Sequence, residues 1–119
     1  MNSERVFDLE EALSRIEHDY ETFRLMAELF LEIGPKDLGA VKAAVEARDP
    51  VATAQTAHRL KGSVMQFCAP VPYEAAKALE MMGKAGDMTG AADAYAGLES
   101  GLTRLVEALR RTLEEELAA

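Results

Sequence analysis

The chain has 119 residues, 49% apolar and 29% charged, which suits one globular domain with a single core and no membrane-spanning segment. Its formal net charge of −8 excludes the basic stripes that nucleic-acid backbones and anionic membranes require. One cysteine, Cys68, excludes an internal disulfide, and the two histidines, His18 and His58, are too far apart for a zinc site of ordinary spacing.

The first residues, MNSERVFDLEEAL, lack the basic start and apolar stretch of a signal peptide. A cytoplasmic protein, or a piece of one, is expected. Every long segment carries helical period and none alternates as a strand does. Asp8 followed by Glu11 resembles a capping box, opening a short helix with Leu9, Leu13 and Ile16 inward. Asp19 caps a second helix that reaches about Ile33, with Phe23, Met26, Ala27 and Phe30 on one face. Gly34-Pro35 reads as a stop followed by a restart.

The four bundle helices follow. The first spans about 36–48, with Leu38, Val41 and Val45 inward. Asp49-Pro50 pairs an N-cap with proline at the first helical position and opens a helix over about 50–68. Pro70 and Pro72 hold off the next helix to about 72–84, with Ala75, Leu79 and Met82 inward. Gly86-Asp87 breaks the chain again. The last helix covers about 88–117, where Tyr95, Leu98, Leu102, Leu105, Leu109 and Leu113 recur at three and four residues. The acidic end, TLEEELAA, is expected to project as a solvated helix end. The expected fold is all-α: one domain over residues 1–119, an antiparallel up-down four-helix bundle with two additional short N-terminal helices.

The helix over 50–68 holds an unusual stretch, TAHRLKGS. At about 100° per residue, Thr53, Ala57, Leu60, Val64 and Phe67 form its core stripe. His58 then points roughly 140° away from the centre of that stripe, into solvent. Lys61 lies on the flank between the two, and Gly62 near the side of His58. A mid-helix glycine costs roughly 0.5–1 kcal/mol relative to alanine, so something must offset it. Either another helix packs closely on Gly62, or a second molecule approaches the His58 ring where a Cβ would block it. Val51 and Met65, seven residues before and after His58, share its side. They read as ordinary exposed residues or as a docking face, with Gln55 and Arg59 beside them.

An exposed neutral imidazole is a nucleophile with two distinct nitrogens. A neighbour that accepts from one N–H leaves the other free to react. Glu80, on the flank of the next helix, is the candidate for that neighbour; the competing reading is a solvated surface charge. Lys61, about one turn from His58, is placed to neutralise an arriving phosphoryl group.

Ala57-His58-Arg59-Leu60-Lys61-Gly62-Ser63 resembles the signature of histidine-containing phosphotransfer (HPt) domains: an alanine-histidine pair, a variable residue, a hydrophobic residue, then lysine-glycine-serine. Phe7-Asp8 with Ala12-Leu13, the Asp19 helix ending in Phe30, the ARDP run and Leu79-Glu80 extend the resemblance over nearly the whole chain. It departs at Cys68-Ala69, where many members have glycine-alanine, and at Val64-Met65-Gln66-Phe67, a less small run than is common.

The resemblance implies a four-helix bundle with His58 phosphorylated on Nε2. It also implies Lys61 at the phosphoryl group, Gly62 as clearance and Glu80 on the other ring nitrogen. The implied partner is a response-regulator receiver domain, free or within a hybrid histidine kinase, whose aspartate exchanges the phosphoryl group and whose own site holds Mg²⁺. The chain itself would carry no cofactor or metal. No nucleotide-binding glycine motif is present, so a phosphocarrier without its own ATP-dependent kinase activity is expected, most simply a monomer. Two alternatives remain at this level: a module that binds a receiver or kinase without transferring, and the excised phospho-acceptor domain of a larger histidine kinase.

Overall fold

The computed structural model describes residues 6–115. Among them are five helices: α1 (Leu9–Ser14), α2 (Tyr20–Glu46), α3 (Pro50–Met65), α4 (Pro70–Ala85) and α5 (Ala91–Glu115). Helices α2 to α5 form the bundle. Each packs on its neighbour in sequence, and α2 closes the ring against α5. Short connections reverse the chain each time, as in an up-down arrangement.

The expected break at Gly34-Pro35 does not occur. Pro35 lies inside α2, so one short N-terminal helix precedes the bundle, not two; the other is the first half of α2. A proline within a helix loses one backbone hydrogen bond and costs ~3 kcal/mol. Here the apolar phase runs through it unbroken: Phe23, Ala27, Phe30, Gly34, Val41 and Ala44 are all buried. Keeping that face against its neighbours offsets the lost bond. Gly34 is a packing residue and not a stop. A Cβ there would come within 3.0–3.2 Å of the Phe30 ring, which in turn lies 5.3 Å from the Phe67 ring, centroid to centroid.

The caps at Asp8, Asp19 and Asp49 each accept hydrogen bonds from first-turn N–H groups: Glu11 at 3.0 Å, Glu21 and Thr22 at 3.1 and 3.2 Å, and Ala52 at 3.1 Å. Helix α3 stops at Met65, three residues before the expected end at 68. Cys68 takes a left-handed conformation (φ +55°) and Ala69 is extended, as the residue before a proline must be. Helix α4 then starts at Pro70, earlier than the expected 72. Both prolines fit its first turn, where N–H groups have no intrahelical acceptor. Gly86 (φ +72°) ends α4, and α5 begins at Ala91 after a turn in which Asp87 accepts from the Thr89 N–H. The expected end of the last helix at 117 and the close of the acidic run lie outside the described residues.

The core follows the expected stripes. Phe23, Val41, Ala57, Leu60, Val64, Phe67, Leu79, Leu98, Leu105 and Leu109 are fully enclosed. Phe23 meets Phe67 edge-on at 5.9 Å. Met26, Leu38, Val45, Ala75, Met82, Tyr95 and Leu113 are half-buried at the edges. Helix α1 closes the end of the bundle by burying Ala12 and Leu13. Arg15 Nη1 donates to the Met65 carbonyl at 3.2 Å, and the Asp8 N–H donates to the Cys68 carbonyl at 3.1 Å.

Thr53 is the exception inside this core. It is fully buried, and its hydroxyl has no hydrogen-bond partner. An unsatisfied buried hydroxyl costs about 1–3 kcal/mol. Thr53→Val keeps the shape and removes the polar atom, and is expected to raise stability by about 1 kcal/mol in chemical denaturation.

Candidate functional site

Helix α3 presents His58 outward, with its side chain 68% exposed. Helix α4 presents Glu80 to the same place from the other side. Glu80 is 4% exposed, so the solvated-charge reading does not describe it. Its Oε2 lies 2.8 Å from His58 Nδ1. Its Oε1 lies 2.7 Å from Lys61 Nζ. A third partner, Lys84, reaches Oε2 at 3.1 Å from one turn further along α4.

The electrostatics follow from these contacts. The Lys61 ammonium, first, and then Lys84 and His58 pull the Glu80 carboxyl down to about 2, against the opposing effect of burial. Glu80 therefore stays ionised across the physiological range. In return its carboxylate raises the Lys61 ammonium above its ordinary value. An ionised carboxylate only accepts, so the imidazole donates through Nδ1–H. The lone pair is then on Nε2, at the exposed edge of the ring. Lys61, expected beside an incoming group, is held in this state by Glu80.

Two glycines divide the structural work. A Cβ on Gly62 would meet nothing within 4 Å, so no helix of the bundle packs on it. Gly83, one turn after Glu80, is the tight one. A Cβ there would collide with the Pro50 carbonyl oxygen and lie 2.7 Å from the Ala54 N and 2.9 Å from its Cβ. This close approach of α4 to the start of α3 sets the depth at which Glu80 meets His58.

Val51 and Met65 are 65% and 47% exposed, and Gln55 and Arg59 are exposed beside them. Exposure alone does not single them out, because Leu25, Leu29, Val71 and Met81 are as open. Their position seven residues either side of His58 does. Lys84 and Gly83 join this site without belonging to the motif. The spacing of Glu80 and Lys84, an i,i+4 ion pair, was a legible signal for the first; nothing in the sequence marked Gly83. His18 lies away from this site and meets Glu10 at 3.0 Å. No three His, Cys, Asp or Glu side chains among the described residues are grouped to hold a metal ion.

The family model for the Hpt domain matches residues 25–116. The chain belongs to the Hpt domain family and is a histidine phosphotransfer protein of a phosphorelay. Proteins of this family are phosphocarriers, not kinases, and act with receiver domains and histidine kinases. The fold is similar to the crystal structure of histidine-containing phosphotransfer protein B from Pseudomonas aeruginosa PAO1, with a TM-score of 0.85 at 20% identity. That similarity covers 94% of this chain and 97% of the other. No curated protein sequence matches the chain.

Two outcomes are expected from the site geometry. Gly83→Ala should lower stability by about 1–3 kcal/mol in denaturant unfolding, because the added carbon meets backbone that cannot yield cheaply. Glu80 gives an acid dependence. Its folded value of about 2 lies below the ordinary 4.5, so its contribution to stability is complete above about 4.5 and is lost as pH falls toward 2. Glu80→Gln should flatten that part of the stability–pH curve.

Proposed function

We propose that His58 is the phospho-acceptor, through Nε2, and that the donor is the phosphoaspartate of a receiver domain. The observation that carries this reading is the Nδ1–H bond to a carboxylate that stays ionised, on a ring 68% exposed. The Nε2 lone pair attacks phosphorus in line. The new P–N bond forms as the acyl P–O bond breaks, and the electron pair leaves on the receiver's aspartate. The Nδ1 proton stays between the ring and Glu80 throughout. Lys61 turns from Glu80 toward the phosphoryl oxygens as they arrive. The reverse of this step loads a second receiver.

Docking uses the face around His58, with Val51 and Met65 as apolar contacts and Gln55 and Arg59 beside them. Gly62 leaves room for the partner's backbone at the ring. Helix α3 carries Arg59 and Lys61 and no acidic side chain, in a chain of net charge −8. That local sign suits a partner whose own site is acidic. Mg²⁺ belongs to the receiver in this reading, and this chain brings no cofactor. The receiver stands alone or within a hybrid histidine kinase. We place the protein in the cytoplasm as a monomer; among its described residues no helix is long and apolar enough to cross a membrane.

The test is to mix the protein with phosphorylated receiver domains and Mg²⁺. Acid-labile, alkali-stable phosphate should appear on the wild type and be absent from His58→Gln. Label of equal strength on the variant would move the acceptor elsewhere, and no label on the wild type with several receivers would remove the transfer reading. Gly62→Ala separates clearance from packing. It is expected to keep or raise helix stability, by up to ~1 kcal/mol, while slowing transfer.

A further inference from the structure

The two oxygens of the Glu80 carboxylate are occupied unequally. Oε1 takes Lys61 alone, at 2.7 Å. Oε2 takes both the imidazole Nδ1–H, at 2.8 Å, and Lys84, at 3.1 Å. Lys61 comes from α3, the helix that carries His58, and its side chain is 22% exposed. Lys84 comes from the same helix as Glu80 and is 67% exposed. The first pair spans the helix interface. The second rides on α4 and survives any movement of the Lys61 side chain.

A carboxylate beside an imidazole favours the imidazolium, in which Nε2 carries a proton and has no lone pair to attack with. A buried carboxylate with no cation of its own would therefore work against nucleophilic attack. Two ammonium groups offset it. The transfer reading, however, asks Lys61 to leave Glu80 for the phosphoryl group. At that moment one cation must still hold Oε2 under the ring. Lys84 is the one available.

We propose that Lys84 is a positioning residue for phosphoryl transfer: it holds Glu80 under Nδ1 of His58 and offsets the carboxylate's charge, so that the imidazole remains a neutral nucleophile while Lys61 turns to the phosphoryl group. This rests on His58 as the acceptor. The charged groups in contact at the ring come from two helices. On α3 this is Lys61; on α4 they are Glu80 and Lys84. Helix α2 packs on α3, and Phe23 and Phe30 of α2 pack on Phe67 in the turn that follows α3.

Lys84→Met and Lys84→Arg test it, with two readouts. The first is the titration of the imidazole by NMR in the unphosphorylated protein. In Lys84→Met the His58 ring should titrate at higher pH than in wild type, while His18, paired with Glu10, stays put as an internal reference. The second is the rate of transfer from a phosphorylated receiver across pH. Lys84→Met should be about threefold slower near neutrality, as expected for a half-screened charge a few ångströms from the ring, and should recover as pH rises. Lys84→Arg should match wild type in both. An unchanged His58 titration in Lys84→Met overturns the proposal. So does a rate lowered equally at every pH, which marks a merely structural role. The ring titration needs no phosphoryl donor, so a failure of His58 as acceptor would show in the wild-type transfer assay and leave this readout standing.

Discussion

Glu80 is the group around which the functional face is organised. An ionised carboxylate that is 4% exposed can persist only if its oxygens are satisfied. Here three donors from two helices satisfy them: the His58 imidazole and Lys61 from α3, and Lys84 from α4. The same contacts that make its burial tolerable select the tautomer of His58 and restrain Lys61. One ion therefore ties structural stability to the tautomer and orientation of an exposed ring. Without it, the imidazole would be a freely turning surface side chain.

That arrangement depends in turn on how closely two helices approach. Gly83 lets the backbone of α4 lie against Pro50 and Ala54, and Glu80 sits one turn earlier on the same helix. Reach from α4 to His58 is set there and not at the site itself. The prolines at the start of α4 and the left-handed Cys68 before them determine where α4 begins, and so which of its residues faces α3. Cys68 is half-buried, and burial pushes its thiol up, so it serves packing and the turn. Glycine adopts such a φ more readily than cysteine does. This chain accepts the strain and gains a partly buried side chain.

Phosphoryl transfer asks for two properties that compete. The accepting nitrogen must be open to a partner, and its ring must be held. The bundle separates them by face. The α3 residues toward α2 and the core are fully enclosed, and the ring projects from the opposite side. In the proposed transfer at His58, holding comes from a buried anion on a neighbouring helix, openness from a glycine whose Cβ would meet nothing. Neither function needs a pocket, which suits a reaction whose other half is brought by a second protein.

Much of this was readable in the sequence. Period, caps and turn residues located the last three bundle helices and most of the large core side chains, because burial stripes and caps are local properties of a helix. The histidine, lysine and glycine of TAHRLKGS declared themselves by spacing and by face. The errors arose where a local signal meets a tertiary one. Gly34-Pro35 has the chemistry of a break, yet the continuous apolar face of α2 and the Phe30 ring over Gly34 override it. Pro70 and Pro72 have the chemistry of a boundary, yet they fit a first turn. The sequence by itself determined the helical class and the exposed histidine, since these follow from periodicity, and the TAHRLKGS stretch carried the family resemblance. Only the tertiary structure decided that Glu80 is buried against His58 and Lys61 and that Gly83 brings the helices together. Those facts depend on the distance between two helices, and no spacing along one chain encodes it.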